Sequence, residues 1–133
     1  MSKEPEKHRA PHAYEGLDRV LHEKARLGLV VALMNRPDGV LFPDLKELCE
    51  LTDGNLSRHL AVLSEAAVVE IWKAQDGPRS KTLVRLTTEG RALFLSYLSE
   101  LERVVQDARA SERVGRKGRL KKPSDLGPNW APA

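Results

Sequence analysis

Residues Thr52 to Leu63 read TDGNLSRHLAVL, and no other stretch restricts the fold as much. Leu56, Leu60 and Leu63 recur at i, i+4 and i+7, a stripe that buries one side of a helix. Thr52 can cap the first turn through its hydroxyl, and Asp53 suits the positive end of the helix dipole. The opposite side carries Gly54, Asn55, Ser57, Arg58 and Ala61, short or hydrogen-bonding residues without apolar cover. A helix divided in this way needs a core behind it and offers small polar groups in front. Such a face fits the major groove of DNA, where Asn can pair with adenine and Arg with guanine. A merely solvated surface is the alternative for each of these residues.

The flanks supply that core. Leu17, Val20, Leu21, Leu27, Val30, Val31 and Met34 predict a long helix over Leu17 to Met34, stopped by the turn sequence NRPDG at Asn35 to Gly39. Val40-Leu41-Phe42 reads as a brief strand. Pro43 and Asp44 open a short helix with Leu45 and Leu48 facing inward, linked by Leu51-Thr52 to the helix described above. Val68 to Lys73 and Thr82 to Thr87 are β-branched, partly alternating runs, and the polar connection AQDGPRSK between them predicts a hairpin. The hairpin tip carries Arg79, Ser80 and Lys81, with Lys73 close behind. From Thr88 a final helix places Phe94, Leu98, Leu101, Val105 and Ala108 at alternating spacings of four and three. That heptad-like seam points to a partner helix.

At 133 residues the chain suits one domain with tails: a disordered arm over 1–13, a folded domain over 14–110 and a basic, disordered tail over 111–133. Aromatic residues make up only 5%, so Leu, Val and Ala must build the core. One cysteine, Cys49, excludes an internal disulfide and a cysteine-rich zinc site. The N-terminus lacks the apolar segment of a signal peptide, and no apolar run is long enough to span a membrane, so a cytoplasmic location is expected. Net charge is +3, from 22 basic and 19 acidic residues. Six cations lie within 113–122 (Arg113, Arg116, Lys117, Arg119, Lys121 and Lys122), which leaves 16 against 19 elsewhere, or −3. Any nucleic-acid binding by the body therefore needs a few well-placed cations rather than a strong overall field.

The order is helix, short strand, helix, tight turn, helix, hairpin, long helix: mainly α with a small β-hairpin. HEKARLGLVVAL, LKELCELTDGNLSRHLAVLSEAAVVE and RLTTEGRALF carry a resemblance to winged helix-turn-helix transcriptional regulators of the MarR and ArsR families, over roughly Leu17 to Val105. The resemblance implies that Asp53 to about Glu65 is the recognition helix and Ala74 to Lys81 the wing tip. It implies a homodimer paired through terminal helices on a pseudo-palindromic operator, with recognition helices about 10 base pairs apart. The residues expected at DNA are then Thr52, Asn55, Ser57, Arg58, His59, Lys73, Arg79, Ser80 and Lys81. Those expected at the dimer seam are Leu17, Leu21, Phe94, Leu98, Leu101 and Val105. No cofactor, metal or membrane partner is expected, and a small-molecule effector is left open.

Two positions depart from the family pattern. Ala67 stands where relatives usually carry a Gly after the recognition helix, which implies mild backbone strain or a differently closed turn. Cys49 lacks the second cysteine of the metal-sensing pair, Leu51 standing in its place, and one thiolate does not make a soft-metal site. Several residues keep two readings. His59 lies beside the leucine stripe, where packing, a helix–helix hydrogen bond and DNA contact are all open to it. Trp72 reads as a packing residue of the hairpin more than a base-stacking one, and Cys49 as a small buried apolar residue more than a redox sensor. No Gly-rich phosphate loop, carboxylate pair or Cys–His arrangement suggests an enzyme. The competing functions are a winged helix used for protein–protein contact and a non-specific DNA-binding protein.

Overall fold

The computed structural model describes residues 10–117 and 122–133, apart from the side chains of 111 and 113–117. Most of the N-terminal arm and the tail cations Arg113, Arg116, Lys117, Arg119 and Lys121 thus lie outside the described side chains. The chain divides into two compact units, Met1–Leu101 and Glu102–Ala133. The elements are α1 (Lys24–Met34), β1 (Val40–Leu41), α2 (Phe42–Cys49), α3 (Asp53–Glu65), β2 (Val69–Asp76), β3 (Arg79–Leu86) and α4 (Thr88–Lys117). A short 3-10 turn at Pro123–Leu126 follows.

α1 starts seven residues later than its apolar periodicity suggests, because two carboxylates intercept the backbone first. Asp18 Oδ1 accepts from Val20 N at 2.8 Å, holding 17–23 in successive turns. Glu23 then caps α1 by accepting from Arg26 N at 3.0 Å, a bond that holds its carboxyl below the ordinary value. The NRPDG stop forms as expected, with Gly39 at a φ of +109°. In α2 the inward face is Phe42, Leu45 and Cys49, whereas Leu48 is 50% exposed. Its expected inward orientation fails because it lies about 90° round the helix from the centre of that face. Burial pushes the Cys49 thiol up, which keeps it protonated and unreactive at neutral pH.

Both helices of the helix-turn-helix end in a left-handed residue. At Glu50 the φ is +52°, and Leu51 N and Glu50 N donate back to Lys46 O and Glu47 O. Ala67 has a φ of +62°; Val68 N reaches Leu63 O at 2.9 Å and Ala67 N reaches Ser64 O at 3.0 Å. This is a Schellman closure with Ala in the position that favours Gly, its apolar contact supplied by the buried pair Leu63 and Val68. The backbone keeps the usual left-handed turn and carries the strain.

The hairpin is longer than its composition indicates. Ala74, Gln75 and Asp76 pair in register with Lys81, Ser80 and Arg79, so most of AQDGPRSK is strand and only Gly77-Pro78 forms the loop. Gly77, at a φ of +64°, supplies the positive first loop position of a type II′ turn. β1 adds to the other edge of β3 through Val40–Val84 and Leu41–Leu83, giving the antiparallel order β1-β3-β2. α4 is anchored at its start. Thr87 Oγ1 donates to Ala67 O at 2.6 Å and accepts from Gly90 N at 2.7 Å. A Cβ on Gly90 would collide with the Val68 carbonyl, which explains the Gly in LTTEGR. The core is Leu and Val from α1, β1, α2, α3, β2 and β3, with Phe94 and Tyr97 from α4. Among the described residues, four α-helices and a three-stranded antiparallel sheet in this order make a mainly helical winged helix-turn-helix.

Candidate nucleic-acid interface

The leucine stripe fixes which side of α3 faces out. Leu56, Leu60 and Leu63 are buried, while Gly54, Asn55, Ser57, Arg58 and Ala61 are all exposed. Thr52 caps the helix as its sequence suggests, its hydroxyl accepting from Asn55 N at 3.2 Å. Asp53 in the same turn pairs with Lys46 at 2.9 Å, which offsets a negative charge where a phosphate would otherwise be repelled. Gly54 has helical backbone and no atom within 4 Å of where a Cβ would stand. The first turn of α3 is therefore low in profile as well as polar.

His59 does not share this face. It is 7% exposed, three residues on from Leu56 within the buried stripe, and Arg26 Nη1 lies 3.2 Å from its Nδ1. Its place among the expected DNA contacts is withdrawn, because the ring is enclosed behind the helix and bonded to α1.

On the wing, residues directly opposite share a face. Arg79 and Lys81 therefore stand on one side with Asp76, Ala74 and Trp72, and Lys73 and Ser80 on the other with Ile71 and Val84. All four expected contacts are exposed, two on each side of the ribbon. Lys81 Nζ is 3.2 Å from Asp76 Oδ2, an exposed pair weak enough for a phosphate to replace. Trp72 packs along the hairpin, although on its open side. It is 53% exposed, with the Arg85 guanidinium 5.6 Å from its ring centroid. Glu70 Oε2 holds Arg85 in turn at 2.6 Å. Trp72 stands on the face of Lys81 rather than that of buried Val84.

The residues expected at the dimer seam separate into two groups. Leu21 and Phe94 are buried in the protomer's own core, so neither can meet a partner while the fold is intact. Leu17, Leu98 and Leu101 are half-buried against that core. Val105 is exposed, as is Leu95, which the heptad pattern passed over. Among the described residues no three His, Cys, Asp or Glu side chains gather as metal ligands would, and no helix is long and apolar enough to cross a membrane.

Comparison with known proteins places this geometry. Residues 25–105 match the winged helix DNA-binding domain family. An uncharacterised protein of Methanocaldococcus jannaschii, MJ0432, is 39% identical over 72 residues, covering 54% of this chain and 78% of that protein. A transcriptional regulator homologue from Pyrococcus horikoshii superposes with a TM-score of 0.62 at 29% identity, over 67% of this chain and 87% of the other. NadR, solved with 4-hydroxyphenylacetate, shares the fold at 24% identity and a TM-score of 0.53, over 78% of this chain and 69% of its own. The Pyrococcus likeness is to a transcriptional regulator, and the family and fold are those of regulators rather than enzymes. A core-anchored helix with a small polar face, a cation-bearing hairpin and a match over most of the folded chain agree: the chain belongs to the winged helix DNA-binding domain family and is a DNA-binding regulator.

Proposed function

We propose that the protein is a homodimeric, sequence-specific transcriptional repressor that occupies a pseudo-palindromic operator. One observation carries the reading: α3 is locked to the core by three leucines and a histidine, while Asn55, Ser57 and Arg58 stand exposed together. In this reading those three side chains meet base edges, and Arg79, Lys81, Lys73 and Ser80 hold the sugar-phosphate backbone beside them. Thr52 caps the helix and can lend its exposed side to a phosphate. The tail cations would add sequence-independent affinity through counterion release. Repression would follow from occupancy alone, since a bound dimer covers promoter DNA. Selection of genomic fragments, followed by footprinting and in vitro transcription, tests the whole reading. A protected two-fold site and lower transcript yield are expected; binding without any preferred fragment overturns it.

A second reading has its own support. Leu41, Leu83 and Trp72 form one cross-strand row on the outer sheet face. Beside it lies an open cleft of about 440 Å³ edged by Leu48, Asp44 and Glu47. An apolar row with an acidic edge suits a protein partner, and a winged helix used only for such contacts would show no duplex preference at moderate salt.

A further inference from the structure

Among the described residues His59 and Tyr97 are the buried side chains that carry hydrogen-bonding groups, and His59 sits midway along the helix that carries the base-reading face. Arg26 carries donors only, so His59 Nδ1 meets it as the acceptor and the ring proton belongs on Nε2. Arg26 is itself fixed twice. Its Nε donates to Val20 O at 2.7 Å, and its backbone N–H is held by the Glu23 carboxylate, whose Oε1 lies 4.0 Å from His59 Nδ1. The same turn is tied to α4, where His22 Nδ1 and the hydroxyl of buried Tyr97 are 2.7 Å apart. A rigid polar bracket thus runs from α4 through 20–26 to the back of α3.

We propose that Arg26 and His59 form a pin that sets the roll of the recognition helix and thereby its choice of bases. The leucine contacts alone do not fix that angle, because apolar packing is non-directional and tolerates repacking. A hydrogen bond to a planar ring does have a direction, and satisfied buried polar pairs select one arrangement of a core. Asn55 lies four residues before His59, only about 40° round the helix, and Arg58 about 100°. Any roll about the pin therefore displaces both base-reading side chains, and groups of this kind need placement within about 0.5 Å. Arg26 and His59 are positioning residues: they act through α3 and touch no base. This rests on the reading that α3 reads bases, and it adds residues that the polar face itself does not contain.

The test compares full-length wild type with His59→Leu, His59→Gln and Arg26→Met on a selected genomic operator and on random duplex. His59→Leu and Arg26→Met should lose about tenfold on the operator, keep their affinity for random duplex and keep a cooperative melt. His59→Gln, whose side-chain oxygen can accept from Arg26, should recover most of the loss. Equal losses on both duplexes, or none on either, overturn the pin. Wild type that fails to prefer its operator would instead sink the base-reading assignment. The pin is then decided in the free protein, where residual dipolar couplings should report a changed α3 orientation in His59→Leu and an unchanged one in His59→Gln. An α3 orientation identical in all three proteins overturns it.

Discussion

At the residue scale, the polar face of α3 was legible because i, i+4, i+7 spacing needs only three leucines to orient a helix. Arg58 is therefore the most direct test of base reading. Arg58→Ala should cost roughly 1–3 kcal/mol on the operator and far less on random duplex; a gel-shift titration that finds equal losses would reduce Arg58 to a phosphate contact. His59 was not legible, because a histidine at the border of an apolar stripe can turn either way. Its partner Arg26 lies 33 residues earlier, a contact that only tertiary structure creates. Trp72 was legible as a hairpin residue, but its cover by Arg85 depends on the cross-strand register. Ala67 shows what a departure from a pattern can mean. The chain keeps the left-handed φ of +62° and accepts the Cβ clash, so Ala67→Gly should raise stability by about 0.5–1 kcal/mol, the relief being partly offset by glycine's larger unfolded-state freedom. Chemical denaturation checks this, and an unchanged or lower midpoint would mean that neighbouring contacts already absorb the strain.

At the element scale, helix order and type were largely legible, and boundaries were not. α1 is shorter than its periodicity because Asp18 and Glu23 offer local hydrogen bonds that compete with the helix. The strands are longer than their hydrophobic runs because cross-strand pairing carries Ala74 to Asp76 and Arg79 to Lys81 along with it. α4 likewise runs on to Lys117, past the last apolar seam position, so the expected disordered tail does not begin at 111. The longer hairpin changes how the wing works. Its cations are held on a paired ribbon rather than a loose loop, with Arg79 and Lys81 on one side and Lys73 and Ser80 on the other. Such a ribbon can place charge at the backbone without ordering a loop on binding, a step that would cost conformational entropy. Substituting Arg79 and Lys81 together with Ala should lower the slope of log affinity against log salt by about one for each phosphate that the wing no longer neutralises. Measurement across several salt concentrations decides it: an unchanged slope would remove this side of the wing from the interface.

At the scale of the whole molecule, the proposed two-fold symmetry would turn one short polar face into a specific reader. In the proposed reading a single α3 would offer three base-reading side chains, whereas genomic selectivity needs many more, and a second copy would double them at a fixed half-site spacing. The net acidic remainder of the chain makes this more necessary, because no broad positive field compensates for a small footprint. The partner surface cannot include Leu21 or Phe94, which the protomer's core already encloses. Leu95 and Val105 instead expose about half of their surface, 51% and 44%, one in each compact unit of the chain. Exposed apolar side chains cost a monomer solubility and gain from burial at about 25 cal/mol per Å². Leu95→Lys with Val105→Lys should therefore leave the protomer folded, since neither side chain belongs to the core, while like charges oppose pairing. Sedimentation should give twice the 14.8 kDa chain mass for wild type and the single mass for the double variant, with the footprint shrinking from two half-sites to one. A double variant that still sediments as a dimer would move the partner surface to another part of the chain, and a wild type that binds its operator as a single chain would overturn the two-fold reading.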